Sequence, residues 1–146
     1  MKPILQSIQK TIIEDLQKEL MFKAVSFIPE TFDALETTRK SASLKPLQLY
    51  LSTPFPVETV SNISELCWEK LSLQCTLIRK HLSAEKGSFL DLAEQLCYVI
   101  SHKKFEHDQW EGCFILEPKN PWKWLEVDNG LALQMHFISS QFSLIF

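Results

Sequence analysis

Residues 122–137, WKWLEVDNGLALQMHF, contain the strongest local structural signal in the chain. Asn129-Gly130 separates two runs of alternating apolar and polar residues. A type I′ turn needs positive φ at both central positions, which Asn and Gly tolerate. The stretch therefore predicts a β-hairpin whose two-residue turn places Trp124 opposite Met135.

The predicted register gives this hairpin one apolar face. The face consists of Trp122, Trp124, Leu133, Met135 and Phe137, with the carboxyl of Glu126 on its rim near the turn. It has three interpretations: core packed against a helix, a ligand pocket with Glu126 and the indole N–H groups as polar anchors, or a surface that receives another chain. Core packing is the usual fate of a sheet's apolar face, and the alternation alone does not separate the three.

Length and charge bound the class of protein. A chain of 146 residues can bury a core without disulfides or metals, so residues 1–146 are predicted to form a single domain. The net charge is −3, and only two arginines and three glycines occur, which argues against nucleic-acid binding and against a glycine-rich phosphate loop. No run approaches the roughly 20 apolar residues of a membrane span, so no membrane contact and a cytoplasmic location are predicted.

Apolar spacing predicts four helical segments. Residues 3–23 predict an amphipathic helix, because apolar residues recur at spacings of three and four: Leu5, Ile8, Ile12, Leu16 and Leu20. Residues 29–39 predict a short helix. Residues 57–83 have a wide apolar face, which predicts one long central helix or two shorter helices broken near Ser72. The last predicted helix runs from Phe89 to about Lys103, with Phe89, Ala93, Leu96 and Ile100 on its inner side.

Strand signals dominate the C-terminal part. Residues 24–28, 47–51, 113–116 and 142–146 predict strands in addition to the hairpin, and the prolines of residues 118–121 predict a turn. The order indicates an α+β fold, with N-terminal and central helices packed on one face of a C-terminal antiparallel β-meander. Strands do not alternate strictly with helices, which argues against a doubly wound nucleotide-binding fold.

Few side chains suggest catalysis. His102 and Glu106 would share a helix face if the helix continued, but no second histidine stands at a zinc-site spacing, so no metal site and no cofactor are predicted. Cys113 has His107 nearby in sequence, yet no nucleophile motif surrounds it. His136 could serve as a base on the hairpin's second face, opposite Lys123, although an ordinary strand histidine is the simpler interpretation.

The four cysteines form no CxxC pair and occupy apolar positions, which predicts reduced, buried thiols: Cys67, Cys75, Cys97 and Cys113.

Two functions remain open. The first is a non-enzymatic cytosolic protein-protein interaction module, such as an adaptor, a chaperone-like protein or a complex subunit, that binds another protein or a second copy of itself. Its predicted surfaces are the N-terminal helix, through Leu5, Ile8, Ile12 and Leu16, and a sheet edge in the segment FSLIF, through Phe142, Leu144 and Phe146. That uncharged segment would aggregate as an exposed edge, so it must pair internally or be covered by a partner.

The alternative is a small-molecule-binding or small-molecule-processing α+β domain. Its pocket would lie between sheet and helices and would be lined by Trp122, Trp124, Met135 and Phe137, with Glu126 or His136 as the polar group.

Overall fold

The computed structural model describes residues 4–23, 25–30, 47–62, 65–80, 86–125 and 130–144, and these residues form an α+β fold. The helices are α1 (Ile4–Gln17) and α2 (Lys86–His102), and a short 3₁₀ helix (Leu20–Phe22) follows α1. The strands are β1 (Val25–Glu30), β2 (Leu47–Ser52), β3 (Phe55–Asn62), β4 (Glu65–Lys80), β5 (Phe105–His107), β6 (Trp110–Leu116), β7 (Trp122–Leu125) and β8 (Gly130–Leu144).

All eight strands of the described residues belong to one sheet. Its order is β1-β2-β4-β8-β6-β5, with β3 paired to β4 and β7 paired to β8. The two long strands, β4 and β8, form the central antiparallel ladder. β1 and β2 are parallel, whereas the other pairs are antiparallel, so the sheet as a whole is mixed. The C-terminal strands β5 to β8 pair only antiparallel, as predicted, but they do not form a simple meander, because β6 pairs with β8 and not with β7.

Helix α1 joins the two ends of this sheet. It contacts β1 and β2 at one end and β5 at the other, so the sheet curls around it. The buried Gln9 donates from Nε2 to the carbonyl oxygen of Leu51 at 2.7 Å, and the Trp110 indole N–H of β6 donates to Ser7 Oγ at 3.1 Å. The helix therefore makes hydrogen bonds to strands from both ends of the sheet.

Helix α2 packs on the same hydrophobic core, in agreement with the sequence prediction. Phe89, Ala93, Leu96 and Ile100 have no exposed surface, and they belong to the core cluster that also contains the α1 residues Ile8, Ile12 and Leu16. The helix begins at Lys86, three residues before the predicted start, a difference typical of helix ends.

The predicted central helix over residues 57–83 is wrong. β3 and β4 occupy residues 55–62 and 65–80. Leu71, Leu73, Cys75 and Leu77 have no exposed surface, and they alternate with Ser72, Gln74 and Thr76, which is the period of a strand. Leucine at so many of these positions also fits a helical stripe, and pairing with β2 and β8 decides the conformation.

The β7–β8 hairpin forms with a different register from the one predicted. Trp122 pairs with Met135 and Trp124 with Leu133, two residues from the predicted partners. Because side chains alternate with a period of two, a two-residue shift leaves both tryptophans on the predicted face. Of the predicted turn residues, Asn129 lies outside the described residues, and Gly130 is the first residue of β8.

Most remaining strand predictions are confirmed, with adjusted bounds. β1, β2 and β6 cover the predicted strands near residues 24–28, 47–51 and 113–116. The N-terminal helix is shorter than predicted and ends at Gln17. The segment at residues 142–146 is not a separate strand, because β8 runs continuously to Leu144.

Two predicted elements lie partly outside the described residues. Residues 29 and 30 of the predicted helix 29–39 belong to strand β1, and residues 31–39 are not described. Residues 145–146 of the predicted C-terminal strand also lie outside the described residues.

Replacement of Gln9 by Leu is expected to lower the free energy of unfolding by about 1–3 kcal/mol, because the Leu51 carbonyl loses a buried donor. Gln6→Leu is the matched control: Gln6 is exposed on the same helix, and its replacement should change stability by less than about 0.5 kcal/mol. Urea denaturation measures both variants, and equal stability of the two would contradict the role assigned to Gln9.

Candidate functional site

The central ladder of the sheet ends in a fork. β4 and β8 pair from Lys80–Gly130 to Ser72–Ile138, and beyond that point β4 pairs with β3 while β8 pairs with β6. At the fork, the N–H of Leu71 donates to Ser139 Oγ at 2.8 Å. The buried serine hydroxyl thus replaces the backbone acceptor that a continued ladder would supply.

A β-bulge in β8 lies next to this fork. Cys113 of β6 pairs with Gln141 and Phe114 pairs with Ser139, so Ser140 has no partner in β6. A bulge bends its strand and increases the local twist, which fits the separation of β8 from β4 at this point. The side of residues 140–144 that faces away from β6 has no strand partner among the described residues, and we call it the open edge.

At the open edge, one side chain packs on the core and others are exposed. Phe142 stacks on the buried Trp110, with ring centroids 5.9 Å apart and an interplanar angle of 23°. Ser140 and Ser143 are exposed. Leu144 pairs with Trp110 through the backbone, whereas the predicted interface residue Phe146 lies outside the described residues.

The open edge also differs from most other strand edges in charge. Beyond Asp128 the sequence contains no Asp, Glu, Lys or Arg. Most other edge segments in the described part of the chain contain proline or charge: Pro29 in β1, Pro56 in β3, Glu69 in the part of β4 that pairs only with β3, Glu106 in β5 and Lys123 in β7. Residues 113–116 of β6, which extend past β5, are a second edge segment without charge or proline. Proline and charge are the usual devices that prevent a strand edge from pairing with another chain.

Helix α1 does not present its predicted interface residues at the surface. Ile8, Ile12 and Leu16 have no exposed surface, and the half-buried Leu5 packs against the same core. Leu20, just after the helix, is 74% exposed. The apolar stripe of α1 is therefore engaged within the chain's own core.

The aromatic face of the hairpin divides into core and rim. Met135 and Phe137 have no exposed surface. Trp122 is half-buried against the core, and Trp124 is 51% exposed and stacks on Phe89 with ring centroids 6.0 Å apart. Glu126 lies outside the described residues.

His102 and Glu106 do not share a helix face. α2 ends at His102, whose Nδ1 lies 2.9 Å from the Tyr98 carbonyl oxygen, and Glu106 belongs to β5. Across the described residues, no group of three or more His, Cys, Asp or Glu side chains could hold a metal ion.

The structure also separates Cys113, considered above as a nucleophile, from His107, the histidine near it in sequence. His107 pairs and stacks with Trp110, on the face of the sheet that packs on the helices. Cys113, three residues further along the same strand as Trp110, lies on the opposite face, because strand side chains alternate.

His136 pairs with Gln74 of β4 rather than standing opposite Lys123, which pairs with Gln134. It lies on the face away from the aromatic cluster, as predicted, and its Nε2 is 3.1 Å from Gln134 Oε1.

Cys75 and Cys97 are buried and form no disulfide, as predicted, while Cys113 is only half-buried. The side chain of Cys67 lies outside the described residues. Cys97 Sγ lies 3.6 Å from Met135 Sδ. Burial raises the pKa of the Cys97 thiol from 9.0 to about 11; the hydrogen bond with Trp122 lowers the pKa and the charge of Glu94 raises it. A thiol held in the neutral form is a poor nucleophile, so the chemistry of Cys97 is that of a core residue.

No protein-family model matches the chain, and the search of curated proteins finds no relative. None of the helices in the described ranges is long and apolar enough to cross a membrane.

Replacement of Ser139 by Ala is expected to lower the free energy of unfolding by about 1–3 kcal/mol, because the Leu71 N–H loses its acceptor at the fork. Ser140→Ala removes the same hydroxyl from the adjacent, exposed position and should have an effect below about 0.5 kcal/mol. The comparison uses urea denaturation, and a larger effect at Ser140 than at Ser139 would contradict the hydrogen bond's role.

The Cys97 thiol should make stability fall as the pH rises from 9.0 to about 11. In this window the unfolded state has released a proton that the folded state still holds, so the free energy of unfolding decreases with pH. A Cys97→Ala variant lacks this contribution. The wild type should therefore lose stability, relative to the variant, in denaturation curves collected across the window, and parallel pH profiles would contradict the assignment.

Proposed function

We propose that this chain is a non-enzymatic cytosolic module that binds another protein, or a second copy of itself, by accepting a strand at the open edge of β8. The observation that carries the proposal is the composition of this edge. It has neither charge nor proline, whereas the edges of β1, β3, β5 and β7 each have one or both; residues 113–116 of β6 share the uncharged composition over a shorter segment.

Strand addition fits the physical chemistry of the open edge. Strand edges present backbone N–H and C=O groups, and an added strand satisfies these groups with main-chain hydrogen bonds that supply affinity. The small, exposed side chains of Ser140 and Ser143 leave room for a neighbouring backbone. Stacking of Phe142 on Trp110 holds the edge in place, which reduces the ordering cost of binding.

The other predicted surfaces have weaker support. The apolar residues Ile8, Ile12 and Leu16 of α1 are already packed in the core, and so are Met135 and Phe137 of the alternative ligand pocket. Neither surface offers an observation comparable to the uncharged open edge.

Affinity capture from the native cell with a tagged chain tests the proposal. The wild type is compared with a Ser140→Lys/Ser143→Lys variant, whose charges block strand addition at the open edge. The control is Gln6→Lys/Gln95→Lys, which adds the same charge at exposed positions on the two helices.

Wild type and control are expected to enrich the same protein, or untagged copies of this chain, at least about ten-fold more than the edge variant. Circular dichroism establishes that all three chains are folded. Equal capture by the edge variant, or no specific capture by the wild type, would contradict the proposal.

A further inference from the structure

We infer that the strand that covers the open edge comes from a second copy of this chain, paired antiparallel about a two-fold axis near Phe142. The inference rests on the proposed function and names the partner.

Charge is the first reason for a second copy. In a two-fold antiparallel pair, each residue of the segment meets a residue of the same segment, so any charge in it comes close to its own copy. Residues 139–144, SSQFSL, contain no charged residue, and self-pairing therefore brings no like charges together. Self-pairing of β7 or β5 would bring two copies of Lys123 or of Glu106 close together.

The same absence of charge argues against a different protein as the partner. Interfaces between different chains commonly use complementary charges to select the partner and to fix the register. The open edge offers no charge for this purpose. A symmetric pair needs none, because its register is set by the matching of one strand with its own copy.

The geometry of β8 is compatible with this arrangement. A two-fold axis perpendicular to the sheet keeps both helix layers on the same side and joins the two sheets into one. Phe142 and Ser143 point to opposite faces, as neighbours in a strand do. The two copies of Ser143 would then lie diagonally on the exposed face, roughly 7–8 Å apart and within reach of long side chains.

Substitutions that introduce a positive or a negative charge at Ser143 test the inference. Light scattering coupled to size exclusion should show the wild type approaching twice the 17.0 kDa of one chain as the concentration rises through the micromolar range. Ser143→Lys and Ser143→Glu should each raise the dissociation constant about ten-fold or more, because like charges meet across the axis. An equimolar mixture of the two variants should restore the dimer, and Gln95→Lys, exposed on α2, should leave it unchanged.

Amide hydrogen exchange supplies a second readout. Amides of residues 140–144 that point to the open edge should gain protection as the wild-type concentration increases, and those of α2 should not. A wild type that remains at 17.0 kDa, or a dimer that the two single variants and their mixture leave unaffected, overturns the inference.

These results separate the inference from the proposed function. A monomeric wild type that still captures a different protein through the open edge defeats only self-pairing. A monomeric wild type without edge-dependent capture defeats both.

Discussion

The closure of the curled sheet by helix α1 is the constraint on which the rest of the structure depends. The helix contacts β1 and β2 at one end of the strand order and β5 at the other, and its side chains fill the space between them. Gln9 and Ser7 bind backbone and indole groups of β2 and β6, so apolar burial and two specific hydrogen bonds act on the same element. Helix α1 thereby links β1 and β5, the two terminal strands of the sheet.

Closure around a helix also accounts for the fork. A sheet whose two ends must both reach α1 has to bend strongly, and long strands such as β4 and β8 cannot remain paired along their whole length. The bulge at Ser140 provides the bend, and the Ser139 hydroxyl accepts a hydrogen bond from the Leu71 N–H, which the separation would otherwise leave without an acceptor. The open edge is therefore a consequence of the curvature, and its position is set by two adjacent serines.

The sequence predicted an element correctly where the spacing of its apolar residues fitted either a helix or a strand but not both. In α2, Phe89 and Ile100 lie on a stripe that only a helix aligns, and the prediction is confirmed. In β4, the leucines fitted both the helical and the strand spacing. Pairing with distant strands decided between the two conformations, and a local sequence pattern does not contain that information. The bulge did leave a local signal: core-facing apolar residues occupy odd positions up to Phe137, whereas Phe142, the next one, occupies an even position, which indicates one inserted residue.

The absence of charge in β8 has different explanations in its two halves. Residues 130–138 lie between β4 on one side and β7 or β6 on the other, so interior packing alone requires an apolar strand there. This reason does not extend to Ser140 and Ser143, which are exposed and could carry charge without loss of core packing. Exposed positions of β5 and β7 do carry charge, as Glu106 and Lys123 show. Core packing therefore does not explain the lack of charge at Ser140 and Ser143. The proposed strand addition does explain it, because a charge at either position would oppose a second strand at the open edge.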